Sequence, residues 1–520
     1  MTPERHGAAL VRDVVVRADD PDDPLTTIDA LELVTPADVE LILHPSGPVE
    51  SSRVIAVAVG ASPGVASGAV ALDAGRALDL FDRGRPYVLV RPATSIDDEP
   101  ALARAAGVLT ASGGIASHAA ILARGRGIPA VCGADALRIS AESFSTADGT
   151  VVHQGDEISI DGSTGEVRLG AASIAPVDAA TDGLAELDQL LGWADELRAG
   201  SLGVWANADT AEDAARARRA GAEGIGLCRA ERLLLGPDRL PSFRQLLASD
   251  HAVDGGEVAD QVRVGLQHDL ERLLAEMDGL PVTVRLLDAP LDDIVAGSGA
   301  GAGGRRAEQN PALGVRGARA LLLRPDLLRL QVQASIDAVA GRLDAGGEPR
   351  LRLMVPFVSI GTELAMIRRL IDAVVAESDR GIELPVGVMI ETPRSALISA
   401  DLVGTADFLS FGTNDLTQLT FGLGRDDTGP VLERYVGSGV LAADPFATID
   451  VDGVGELVAL GVERARAVDP AVEISVCGEH GGDQASIAFF RSLGVDHVSC
   501  SPFRVPVARL AAARSVLGVT

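Results

Sequence analysis

The stretch Phe408-Leu409-Ser410-Phe411-Gly412-Thr413-Asn414-Asp415 runs from a short, largely apolar segment straight into a glycine and three polar side chains. A brief apolar run closed by glycine and polar residues reads as a buried strand that ends in a functional loop. Outward from it, strand then helix recurs from about residue 201 to the C-terminus. Candidate strands lie at 202–206, 224–228, 282–287, 352–355, 386–390, 408–411, 473–476 and 497–499, with amphipathic helices such as 362–375 and 454–467 between them. Eight βα units in about 320 residues predict a (β/α)8 TIM-type barrel. A doubly wound open sheet is the alternative. The glycine-rich stretch 291–312 breaks the pattern and is expected to form a loop over the barrel mouth.

Upstream, residues 1–50 are mixed and linker-like, with an acidic turn-rich patch at 19–23 and a helix-compatible stretch at 37–43 ended by Pro45 and Gly47. From Val54 the texture changes to β-rich runs punctuated by glycine, at 54–59, 68–72, 87–90, 107–110, 151–152, 157–160 and 166–169. One clear helix interrupts them, from His118 to about Gly125. An α+β domain over 51–172 is expected. A helical connector at 173–200, with Leu184, Leu187, Leu190 and Leu191 at helix spacing, is the natural hinge before a barrel over 201–520.

Composition narrows the chemistry. The 520 residues carry 45 basic and 74 acidic side chains, net −29, which disfavours nucleic acid and anionic membranes as partners. All the basic residues are arginine. Without lysine there is no Walker-type phosphate loop and no Schiff-base chemistry, so phosphate must be held by arginine, backbone N–H groups or metal. Four scattered cysteines make no disulfide framework. The N-terminus lacks a signal-peptide core, and no run of 18 apolar residues occurs, so a cytoplasmic protein is expected.

In a barrel, the residues just past each strand line one mouth. Here they are Asn207, Arg229, Glu231, Arg285, Asp288, Glu391, Gly412-Thr413-Asn414-Asp415 and Cys477-Gly478-Glu479-His480, with Glu308, Asn310 and Arg316 from the loop between strands three and four. Arginines suit phosphate and carboxylate. Glu391 and Asp415, from neighbouring strands, suit Mg2+. Cys477 offers a thiol whose pKa is near enough to neutral for acid/base work. A second constellation is Gly113-Gly114-Ile115-Ala116-Ser117-His118, which opens a helix ending in Arg124. An imidazole at a helix N-terminus is placed to carry an anion such as a phosphoryl group.

These stretches resemble the PEP-utilising family, which includes pyruvate phosphate dikinase, PEP synthase and the first enzyme of the sugar phosphotransferase system. The likeness is strongest to the dikinase branch. It is carried by GGIASHAAILARGRGIPAVCG, EQNPALGVRG, MIETPRSAL, DFLSFGTNDLTQLTFGLGRDD and SVCGEHGG, and spans roughly residues 40–520. The resemblance implies a swivelling phosphohistidine domain followed by a PEP/pyruvate-binding barrel. It implies His118 as phosphoryl carrier, and Arg229, Arg285 and Arg316 on the phosphoryl group and carboxylate of PEP. Glu391 and Asp415 would ligate Mg2+, Thr413 and Asn414, with Gly412 before them, would anchor the substrate, and Cys477 would protonate the pyruvate enolate.

Two departures qualify the likeness. Ala116 stands where the family usually has Thr, which would remove a phosphorylation site and a hydroxyl beside the imidazole. No ATP-grasp segment precedes residue 40, so the expected activity is the half-reaction PEP + His118 ⇌ pyruvate + phospho-His118. A separate nucleotide-binding subunit would complete it. The alternatives are a small phosphocarrier protein as acceptor, or a non-catalytic PEP-sensing protein. Relatives are commonly homodimers through the barrel, and the same is expected here.

Overall fold

The computed structural model describes residues 7–43, 53–94, 98–114, 117–171, 183–236, 239–248, 256–296, 308–378, 380–424 and 428–519. The chain packs as two units. One comprises Met1–Ala199, Gly422–Thr448 and Pro506–Thr520; the other comprises Gly200–Phe421 and Ile449–Val505. Among the described residues, no helix is long and apolar enough to cross a membrane.

The first unit is built on an eight-stranded sheet in the order Val54–Val57, Glu166–Leu169, Glu157–Asp161, Val65–Ala71, Tyr87–Arg91, Gly107–Thr110, Ala130–Cys132, Val59–Ser62. Neighbouring strands from Val65–Ala71 through Ala130–Cys132 are parallel. Side-chain alternation divides each strand between two cores. Tyr87, Leu89, Val108, Ala130 and Cys132 pack with the helices Ala74–Asp82 and His118–Arg126. Val88, Val90, Leu109 and Val131 pack on the other face with Phe144, Val152, Ile158 and Val167. The expected single run at 54–59 is in fact two strands at opposite edges of the sheet, broken at Ala58, whose N–H donates to the Gly165 carbonyl at 2.9 Å. The expectation of one helix also fell short, since Ala74–Asp82 is a second, capped by Asp73 accepting from Arg76 N.

Residues 1–50, read as linker-like, supply three helices, Ala8–Ala18, Thr27–Leu33 and Pro36–Leu43. They share a core with Leu184–Arg198 and with Val507, Leu510 and Ala513 of the C-terminal helix. Arg514 fastens this bundle: its Nη1 donates to the carbonyls of Leu31, Glu32 and Val34 at 2.6–2.9 Å, capping the end of Thr27–Leu33. Residues 422–448 and 506–520, which the sequence reading placed in the barrel span 201–520, group with this unit. Part of the connector, 173–182, lies outside the described residues.

The second unit is a closed barrel, not an open sheet. Its strands one to eight are Gly203–Asn207, Ile225–Arg229, Pro281–Arg285, Arg350–Val355, Val386–Ile390, Phe408–Phe411, Glu473–Val476 and His497–Cys500. All neighbours are parallel, and strand eight pairs back to strand one through Gly203 and His497. The stretch expected as a loop at 291–312 begins with a helix, Leu291–Ala296; its part from 297 to 307 lies outside the described residues.

The barrel interior carries a polar layer toward the strands' N-terminal ends. Arg352 donates to Glu473 at 2.7 Å and lies over the rings of Trp205 and Phe408. His497 stacks on Trp205 with ring centroids 3.9 Å apart. Burial, and then the charge of Arg352, push the His497 imidazole down to about 3. The unfolded chain, with an ordinary histidine, therefore binds a proton that the folded barrel refuses, so this residue's contribution to stability is lost as pH falls from about 6.5 toward 3. The expected slope is at most ~1.4 kcal/mol per pH unit. Urea midpoints of the wild type and His497→Phe at pH 7 and pH 5 should show the wild type losing more stability than the variant on acidification; equal losses would refute the assignment.

Candidate active site at the barrel mouth

Strands three, five and six, with the turns that follow them, deliver a compact ionic network. Arg285, the last residue of strand three, forms ion pairs through Nη1 with Asp288 Oδ2 at 3.0 Å and through Nη2 with Glu231. Arg316, at the N-cap of the helix Gly317–Leu323, donates from Nε to Asp288 Oδ1 at 3.1 Å and from Nη2 to Asp288 Oδ2 at 2.6 Å. Its Nη1 reaches Asp415 Oδ1 at 3.0 Å, and its guanidinium lies 4.3 Å above the Phe357 ring. Glu391, one residue past strand five and 1% exposed, accepts from the Phe357 N–H at 2.6 Å. Phe357 has φ 55°, the one positive φ of a residue other than glycine among the described residues. That left-handed conformation is costly for an aromatic residue; here the same residue offers Glu391 its N–H and Arg316 its ring.

Asp288, Glu391 and Asp415 each present a ligand oxygen, all within 4.8 Å of one another. Burial first, then the neighbouring carboxylates, push the Glu391 carboxyl well above its usual range, and burial likewise raises Asp288. A group of crowded hard oxygens whose ionised forms are penalised by burial and by each other is what a divalent cation would relieve, so the residues present fit Mg2+. Sequence reasoning put Asp288 at the mouth without a role; its partnership with Arg316 spans 28 positions and has no local signature.

Gly412 is where strand six turns into the helix Thr413–Phe421, and a Cβ there would stand 2.9 Å from Glu391 Cβ and 3.0 Å from its Oε2. Thr413 is fully buried, with its Oγ1 2.7 Å from His480 Nδ1, so its side chain faces the protein. Asn414 Oδ1 accepts from the Glu479 N–H at 3.1 Å, tying this turn to the one after strand seven. Gly478 permits that approach, since a Cβ there would fall 2.0 Å from Thr413 Oγ1.

Cys477 follows strand seven and is 3% exposed, in a cluster with Leu227, Met354, Met389 and Phe408. Burial in this apolar setting pushes the thiol up to about 11. The expectation of a near-neutral thiol is thus corrected: burial disfavours the thiolate and keeps the group in its protonated form. Arg229 closes strand two and is held by Asp209, whose Oδ2 accepts from Nη2 at 2.6 Å and whose Oδ1 accepts from the Arg229 N–H at 2.8 Å. Sequence reasoning missed Asp209. Glu308 stays with its own loop, accepting from the Val315 N–H at 3.0 Å.

His118 belongs to the first unit and is the first residue of the helix His118–Arg126. Ser117 caps that helix by accepting from the Ala120 N–H at 3.3 Å, and Gly127 closes it with φ 64°. Gly113, at φ 95°, allows the turn before it, because a Cβ would meet Ser117 Cβ at 2.7 Å. Ala116 lies outside the described residues.

Comparison with known proteins agrees with this fold. Residues 184–516 match the family model described as PEP-utilising enzyme, PEP-binding domain, and residues 84–165 match the PEP-utilising enzyme mobile domain. The chain is 40% identical over 515 residues to pyruvate, phosphate dikinase 1 of Arabidopsis thaliana, covering 94% of this chain and 53% of that one. It is 40% identical over 517 residues to pyruvate, phosphate dikinase 2 of Oryza sativa subsp. japonica, covering 94% and 58%. The chain therefore spans little more than half the length of these curated relatives. With its barrel matched from end to end by the PEP-binding model, this chain belongs to the family of PEP-utilising enzymes.

Proposed function

We infer that this chain performs the PEP/pyruvate half of a dikinase-type phosphoryl transfer, PEP + His118 ⇌ pyruvate + phospho-His118. The observation that carries this reading is the convergence on one mouth of Arg285, Arg316, Glu391 and Asp415 beside a protonated, buried thiol. Arg229, Arg285 and Arg316 would hold the phosphoryl group and carboxylate of PEP, charges that guanidinium forks suit. Glu391 and Asp415 would hold Mg2+, which when bound supplies positive charge to the enolate and phosphoryl oxygens. Because the Thr413 side chain is engaged by His480, this residue and Asn414 would meet the substrate through the backbone N–H groups of the helix start after Gly412.

In the forward direction the P–O bond of PEP breaks, the phosphoryl group passes to an imidazole nitrogen of His118, and an enolate is left. Arginine charge stabilises it, as preorganised donors stabilise developing anions elsewhere. Cys477 then gives its proton to the methylene carbon, forming the methyl group of pyruvate. A thiol that burial keeps in its protonated form holds the proton this step needs, and its thiolate takes one back from pyruvate in reverse. The curated relatives are named for pyruvate and phosphate together. On that footing, the phosphoryl group leaves His118 for a nucleotide-binding domain or subunit. A phosphocarrier protein is the alternative acceptor. A purely PEP-sensing role would leave the thiol without a task. A homodimer through the barrel is proposed from family resemblance alone.

Incubation with labelled PEP and Mg2+ should give an acid-labile, alkali-stable phosphoryl adduct that His118→Ala abolishes; equal labelling of the variant would remove His118 as carrier. Cys477→Ala should bind PEP as before while its Mg2+-dependent exchange of pyruvate methyl protons with solvent falls by about 10²–10⁴-fold, the usual worth of a general acid/base. Unchanged exchange, followed by NMR in D2O, would end the role given to the thiol.

A further inference from the structure

Asp288 lies between two of the arginines at the mouth and contacts both. Its side chain is 1% exposed. Oδ1 accepts from Arg316 Nε, Oδ2 accepts from Arg316 Nη2, and Oδ2 forms an ion pair with Arg285 Nη1 at 3.0 Å. The two arginines stand at opposite ends of a long excursion, one closing strand three and the other at the N-cap of Gly317–Leu323, and as like charges they would separate without a counter-ion between them. The approach is built into the backbone beside it. Gly317, next to Arg316, has φ 53°, and a Cβ there would lie 2.9 Å from Asp288 Oδ1 and 2.5 Å from Phe357 Cβ.

By position alone Asp288 could be a third metal ligand, since its oxygen lies in the group that includes Glu391 and Asp415. Its chemistry says otherwise. A hard cation takes free carboxylate lone pairs, and both Asp288 oxygens already accept from guanidinium N–H groups. Glu391 gives only Oε1 to a protein donor, the Phe357 N–H, and Asp415 gives Oδ1 to Arg316, which leaves each an oxygen for a cation. We propose that Asp288 is a positioning residue and not a metal ligand: it clamps Arg285 and Arg316 into one rigid cationic pair, spaced for an anionic substrate, while the cation is held by Glu391 and Asp415 alone. The anion's identity as PEP rests on the function proposed above; the clamp does not.

The test separates metal from anion in the full chain, with Mn2+ as the metal probe followed by its free-ion EPR signal and PEP added to the Mn2+ form. Asp288→Asn should leave the Mn2+ dissociation constant within about threefold of wild type while weakening PEP by about 30-fold or more, a loss in keeping with removal of one partner from a buried charge network. Glu391→Gln should weaken Mn2+ itself. Asp288→Glu, which keeps the charge, should recover part of the PEP affinity, and it carries the same comparison where Asp288→Asn does not fold. Loss of Mn2+ binding in Asp288→Asn equal to that in Glu391→Gln would make Asp288 a ligand and overturn the proposal. Where the wild type binds no PEP, the functional reading fails but the clamp is still decided by a crystal structure of Asp288→Asn. Displaced Arg285 and Arg316 uphold it, and unmoved guanidiniums overturn it.

Discussion

Two arginines and two carboxylates, Asp288 and Glu391, are buried together at the barrel mouth beside a half-buried third, Asp415, and neither set could be buried without the other. An isolated charge taken out of water costs far more than a folded protein can spare, whereas a hydrogen-bonded network of opposite charges comes near to balance. That condition fixes much else. It requires strand ends from separate βα units to meet within a few ångströms, and a closed parallel barrel brings them together because every strand ends on the same rim. An open sheet would have spread the same residues along an edge.

Close approach of charged side chains also requires small residues behind them. Gly412 lets Glu391 stand against the start of the helix Thr413–Phe421, and Gly478 lets strand seven's turn close on Thr413. Phe357 accepts a backbone conformation that its side chain disfavours, an energetic cost of order 1–3 kcal/mol that the surrounding contacts must offset. What is gained is a main-chain N–H on Glu391 Oε1 and an aromatic face under Arg316. The strain at Phe357 and the close approaches at Gly317 and Gly412 thus stand beside the ionic network.

The barrel was legible because a strand buried on both faces reads as a short apolar run, and several of the runs stop at a polar residue or glycine; Val386–Ile390 and Phe408–Phe411 show this plainly. The mouth residues were legible for the same reason, as the first side chains after those runs. What escaped was fixed by partners distant in sequence. Asp209 answers Arg229 across 20 positions and Asp288 answers Arg316 across 28. The positive φ of Phe357 has no signature in Met354-Val355-Pro356-Phe357. The helix Ala8–Ala18 did carry a signal, in Val11, Val14 and Val15 at helical spacing on one buried face. It was obscured because its N-terminal contact is tertiary, the Gly7 N–H donating to Asp38.

The thiol shows how the interior is divided. All the basic side chains of this chain are arginine, which cannot release a proton near neutrality, so arginine can hold anions but cannot protonate carbon. A lysine in the place of Cys477 would have to be desolvated as a cation among Leu227, Met354, Met389 and Phe408. A thiol is neutral in the form that carries the proton, and burying it costs little. The same apolar neighbours that raise its pKa to about 11 therefore keep it loaded. Charge is concentrated in the arginine–carboxylate layer, where it can be paired, and the proton donor of the proposed reaction sits in an uncharged cluster that needs no counter-ion.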